Sequence, residues 1–163
     1  MNCPNQPSDD SLTVKHSLIH PAVFINLYDH YAPGVYRYAF LRVGGDLADE
    51  VVVRSFLKAF RQRRLFSSRS ISFQAWIYGI ASRVISSYPH AEAKRFRTMS
   101  QELGTTALYS LGSRERDAFL LMTWGRLPLS EAAQALGMST ERLERRLDRT
   151  LQRITNRIPG SVR

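Results

Sequence analysis

The sequence predicts an all-α protein made of two small helical domains, a four-helix N-terminal one and a C-terminal helix-turn-helix one, joined by a flexible linker. Three observations predict it. Apolar residues recur every three or four positions through most of the chain. No segment shows the Val/Ile/Thr alternation of an amphipathic strand. Near the C-terminus, LSEAAQALG, Met138-Ser139 and TERLERRLDRTLQRI read as a short helix, a Gly-centred turn and a longer Arg-rich helix.

Residues 1–20 are polar, hold paired Asp and lack periodicity, so a flexible arm is expected there. From Pro21 onward Val23, Phe24, Leu27 and Tyr31 share a helical face, and Pro21 suits a first turn. Pro33-Gly34 starts a second helix, which ends at Gly44-Gly45. Asp46 is placed to cap a third, long helix running to about Arg64. The β-branched run VVV at 51–53 sits inside that helical pattern, ahead of Phe56, Leu57 and Phe60. A Ser-rich loop precedes a fourth helix from about Phe73, whose Trp76, Ile77, Ile80 and Ala81 read as core, and Pro89 should end or kink it. The apolar period then lapses. The first domain is expected over 21–95, a linker over 96–106, the second domain over 107–158 and a tail over 159–163. The second domain should comprise a short segment at Leu108–Leu111, a helix from Ser113 to Trp124, and the helix-turn-helix. In the last of these Ser130 caps the first helix, Gly137 ends it in a left-handed conformation, and Ser139 or Thr140 caps the second. Leu143, Leu147, Leu151, Ile154 and Ile158 should face a core.

Charge narrows the function. Lys and Arg number 23 against 14 acids, a net charge of +9 over 163 residues, and both halves of the chain are basic. That balance favours a polyanionic partner, because neutralising phosphates releases counterions. No apolar run approaches the ~20 residues that span a bilayer, so no membrane insertion is expected. The N-terminus lacks the apolar core of a signal peptide, and a cytoplasmic location is expected. Cys3 is the only cysteine, which excludes an internal disulfide and a Cys-based zinc site. There is no Gly-rich phosphate loop, and His16, His20, His30 and His90 are scattered. Neither catalysis, a cofactor, a metal nor a small-molecule substrate is expected. In a helix-turn-helix the second helix enters the major groove, and Ser139, Thr140, Arg142, Arg145, Arg146 and Arg149 are its candidate DNA contacts.

The order of elements resembles the extracytoplasmic-function sigma factors, the smallest promoter-specificity subunits of bacterial RNA polymerase. The resemblance spans about residues 21–157. ADEVVVRSFLKAF resembles the family's A-E-D-L-V-Q-E-V-F-L-K-A pattern, and FQAWIYGIA resembles F-x-A-W-L-x-R-I-A. The stretch from LYSLGSRERDAF to RTLQRI resembles the family's second DNA-binding domain from end to end. The resemblance implies a region 2-like first domain and a region 4-like second one. Its implied partners are core RNA polymerase, promoter DNA and a regulating anti-sigma protein.

It also implies roles for particular residues. The third helix would dock a basic coiled coil of the polymerase through Asp49, Glu50, Val53, Arg54, Phe56 and Lys58. Complementary charge at Asp49 and Glu50 would speed that docking, although both are also first-turn acids that a helix dipole favours. The loop after the third helix would capture an unstacked base of the minus-ten element, with Arg61, Arg63, Arg64 and Arg69 around it and Phe66 nearby. Basic residues interleaved with an aromatic suit single-stranded DNA. The alternative is a solvated Arg run with Phe66 packed inward. The recognition helix would read the minus-thirty-five element, where Arg forks match guanine edges and phosphates.

Six positions depart from the family pattern. Val53 and Arg54 stand for Gln and Glu, Gly79, Ser82 and Arg83 for Arg, Arg and Asn, and Glu144 for Lys. Arg54 should weaken docking to a basic partner unless a local acid offsets it, and Gly79 costs its helix about 1 kcal/mol relative to Ala. Two other functions fit the same frame. One is a standalone DNA-binding regulator. The other is a sigma-like decoy that binds an anti-sigma protein without transcription.

Overall fold

The computed structural model describes residues 7–103 and 111–155. They form eight α-helices: α1 (Pro7–Ser17), α2 (Ile25–Val43), α3 (Gly45–Gln62), α4 (Phe73–Ile85), α5 (Pro89–Leu103), α6 (Ser113–Thr123), α7 (Leu129–Ala135) and α8 (Thr140–Thr155). Single 3₁₀ turns at Pro21–Phe24 and Arg63–Leu65 lead into α2 and out of α3. There is no strand among the described residues.

The centre of the molecule is α4, a helix apolar on nearly every side. Phe73, Ala75, Ile77, Tyr78, Gly79, Ile80, Ala81, Val84 and Ile85 are all buried. A helix with no polar face needs neighbours all round, and α4 has α2 and α3 on one side and α7 on the other. Ile77, Ile80 and Ile85 are wholly enclosed, each stabilising the fold by about 1.5–3 kcal/mol relative to exposure. One continuous core results. It runs from Phe24, Leu27 and Tyr38 through α4 to Ala132, Ala133, Leu136 and Leu143.

Several local expectations change. The expected arm contains α1, held by Val14 at 2 % exposure and Ser17 at 0 %. Pro33 does not start a helix but lies inside α2. Buried Tyr31, Val35, Tyr38 and Ala39 anchor that helix on both sides of it, outweighing the one backbone bond a proline removes. Asp46 falls in the first turn of α3 rather than at its cap. Pro89 opens α5 instead of closing α4, which ends at Ile85. The expected linker is therefore helical as far as Leu103, and α5 packs along α2. Pro128, not Ser130, is the N-cap of α7. Leu108–Leu111 lies almost entirely outside the described residues, as do the tail at 159–163, Ile158 and the side chain of Ile154.

Candidate polymerase and nucleic-acid interfaces

The outer face of α3 is set by its period. Ala48, Val51, Val52, Ser55, Phe56 and Ala59 turn inward, leaving Asp49, Glu50, Val53, Arg54, Leu57 and Lys58 in solvent. Phe56 is a correction to the predicted docking set. It is 4 % exposed and packs edge-on to Tyr28 at 4.9 Å, so it supports the surface from beneath. Exposed Leu57, next to it, and Val53 one turn earlier are the apolar residues this face presents. Arg54 does have its local acid. It lies 3.5 Å from Glu50 one turn earlier, donates to the Tyr88 hydroxyl, and stacks on the Tyr88 ring. Tyr88 in turn donates to Glu50 at 2.8 Å. The cation that departs from the family pattern thus neutralises one of the two acids expected to dock, and Asp49 remains exposed beside it.

At the end of α3, Arg61, Arg64 and Arg69 are exposed. Arg63 is not presented in the same way. Its guanidinium lies 3.9 Å over the Phe60 ring, and it donates to the Phe60 and Ser17 carbonyls. Phe66 packs inward against Phe73 and Trp76 at 5.8 and 5.2 Å, so it is a foot of the loop and not a stacking platform. Leu65, absent from the sequence expectations, is 78 % exposed between Arg64 and the loop. The loop ends at Ser72, which caps α4 by accepting from the Ala75 N–H and donates its own hydroxyl to Glu131 of α7.

The helix-turn-helix is formed by α7 and α8. Gly137 has φ 67°, the left-handed turn the sequence predicted. Ser139 caps α8 by accepting from the Arg142 N–H at 3.3 Å. Leu143 and Thr150 are buried on the inner face. Leu151, expected in the core, is 61 % exposed, because Leu143 and Leu147 already fill the short contact with α6 and α7. Arg142, Arg145 and Arg149 are exposed together with Ser139, while Thr140 is half-buried. Arg145 and Arg149 fold back to donate to carbonyls one turn earlier. Arg146 differs, since it pairs with nearly buried Glu115 at 3.1 Å and fastens α8 to α6. Glu144 lies exposed on the arginine side.

Between these faces runs a seam that sequence reasoning did not reveal. Arg42 of α2, 2 % exposed, pairs with Asp117 of α6 and with Glu92 of α5 at 2.6 Å. Tyr38 donates to Asp117, and Ser82 donates to its other oxygen at 3.2 Å. Burial pushes the Tyr38 hydroxyl above its usual range, opposed by the Arg42 charge. Gly79 belongs to the same seam. A Cβ there would stand 2.6 Å from the Ala135 carbonyl oxygen, so the glycine that weakens α4 is what lets α7 approach. Gln74 adds a bond to the Gly125 carbonyl at 2.7 Å.

Known proteins share this construction. Residues 27–95 match the model of Sigma-70 region 2, and residues 107–156 match that of Sigma-70, region 4. The ECF RNA polymerase sigma factor BldN of Streptomyces coelicolor is 37 % identical over 75 residues. The chain belongs to the sigma-70 family, as a divergent extracytoplasmic-function sigma factor. The match to BldN covers 45 % of this sigma factor and 28 % of that relative's length. The structure of CnrH in complex with the cytosolic domain of CnrY superposes with a TM-score of 0.72 at 20 % identity, over 90 % of this sigma factor and 95 % of that chain, and so shares its fold. No helix among the described residues of the sigma factor is long and apolar enough to cross a membrane.

Proposed function

We propose that this chain directs core RNA polymerase to specific promoters and assists initiation there, acting in the cytoplasm through binding and not through catalysis. One observation carries the reading. A single chain joins a region 2 match, bearing an exposed basic loop, to a region 4 match, bearing an exposed arginine face. Residues 21–95 dock the polymerase through Asp49, Glu50, Val53, Leu57 and Lys58 and take the minus-ten strand through Arg61, Arg64 and Arg69. Residues 107–158 anchor the minus-thirty-five element through Ser139, Arg142, Arg145 and Arg149. Two modest grips held on one chain add through effective concentration.

The seam bears on how this happens. Elements about 25 base pairs apart lie roughly 85 Å apart at ~3.4 Å per base pair. A compact chain of this length has a radius of gyration of only about 15 Å. Both grips can hold one promoter only after the seam parts. An anti-sigma protein that holds the halves together would then silence both grips; that CnrH, which shares this fold, was solved in complex with the cytosolic domain of CnrY supports a protein partner for this chain.

Run-off transcription with purified core polymerase and a randomised promoter library tests the function. Promoter-specific transcripts are expected. Sequence-specific DNA binding without transcripts would replace this reading with a standalone regulator.

A further inference from the structure

The first helix lies outside the region 2 match, which begins at residue 27, yet it packs on the 21–24 turn, on α2 and on α4, the helix into which the basic loop leads. Its inner face is Ser11, Val14 and Ser17, spaced three apart and at most 8 % exposed. Side-chain hydrogen bonds tie this helix to the rest of the bundle. Tyr31 of α2 donates to the Asp10 carboxylate. Ser11 Oγ donates to Ser68 Oγ at 2.9 Å. Arg63 donates from Nε to the Ser17 carbonyl at 3.4 Å.

The last two contacts grip the loop. Phe66 fixes its start against Phe73 and Trp76, and Ser72 fixes its end as the cap of α4. Its middle is a turn in which the Ser70 and Ile71 amides donate to the Ser67 carbonyl. Ser68 lies inside that turn and is tied to α1. Arg64 and Arg69 are exposed on either side of it. A loop already held in its binding shape pays no ordering cost when a strand arrives.

We propose that Ser11 is a positioning residue for minus-ten recognition, with α1 bracing the 66–72 loop in the shape that takes an unpaired strand. The proposal rests on the reading of that loop given under Proposed function, and its test separates the two.

Full-length chain is assembled with core polymerase and offered two probes from a promoter that the wild type transcribes. One is a fork-junction DNA with a single-stranded minus-ten segment, and the other is a duplex minus-thirty-five fragment. Ser11→Ala is expected to weaken fork binding about threefold to tenfold, the range that one hydrogen bond supports. Duplex binding should not change, and Ser11→Thr should restore fork binding. Ser68→Ala should cost a similar factor, and the double variant no more than the worse single one, because both remove the same tie. Wild-type fork binding by Ser11→Ala would overturn the proposal. So would losses that multiply in the double variant. An equal loss on the duplex probe would overturn it too, because the contact would then support the whole chain and not the loop. If the wild type transcribes from no promoter, the reading of the loop fails first and takes this proposal with it.

Discussion

At the seam Arg42 is 2 % exposed and gives its guanidinium to Asp117 and Glu92, whereas on α8 Arg142, Arg145 and Arg149 stand in solvent. The residue type is the same and the consequences are opposite. A buried guanidinium is held by charges and hydroxyls from three helices, and losing one partner strands a charge without water. An exposed one contributes little to the fold and leaves its terminal guanidinium nitrogens in solvent. The outer face of α3 lies between these extremes, since Arg54 is exposed but tied to Glu50 and Tyr88. Substitutions should therefore separate folding from binding.

The largest effect belongs to the seam. Asp117→Ala should destabilise the chain by about 3–5 kcal/mol in urea unfolding, because Arg42 is left buried beside an empty place. Arg42→Met combined with Asp117→Leu should recover most of that loss. Next comes Gly79→Ala. Overpacking against the Ala135 carbonyl should cost about 1–3 kcal/mol in thermal melting, although alanine is the better helix former. Stabilisation instead would remove the close approach from the account. On α8, Arg145→Ala should weaken minus-thirty-five duplex binding about fivefold to a hundredfold while moving stability by less than about 0.5 kcal/mol. Fluorescence anisotropy and urea melts on the same preparation check both halves of that statement. The smallest change is expected on α3. Arg54→Gln frees Glu50 and should tighten core polymerase binding between about 1.4-fold and fivefold. Weaker binding would show that Arg54 itself docks.

Most helices and the turn at Gly137 were readable because their signals are local: a 3.6-residue period, a capping Ser and a glycine at φ > 0. What escaped depends on contacts between distant residues. The first helix carries little periodicity and forms because Val14 and Ser17 find partners in the bundle. Pro33 reads as a boundary, yet α2 runs through it because packed residues flank it. Arg42 and Asp117 are 75 positions apart, and nothing near either marks the pair. That Asp49 and Glu50 of α3 and Arg142, Arg145 and Arg149 of α8 face solvent was legible in their helical spacing. The inward turns of Phe56, Arg63 and Phe66 were not, since a helical or loop position shows which face it lies on only once its neighbours are known. Gly79 reads as a weakness in sequence and as a fitted contact in structure.

The central claim is that one chain sets two DNA grips on one promoter. It is tested most directly by the distance across the seam. Fluorophores at exposed His90 of α5 and Gln134 of α7, introduced through cysteines after Cys3→Ser, report it by energy transfer. In the isolated chain the two should stay within the compact body. In the polymerase–promoter complex energy transfer should collapse, as the halves separate towards the roughly 85 Å between the elements. Unchanged transfer in a complex that transcribes would contradict the account.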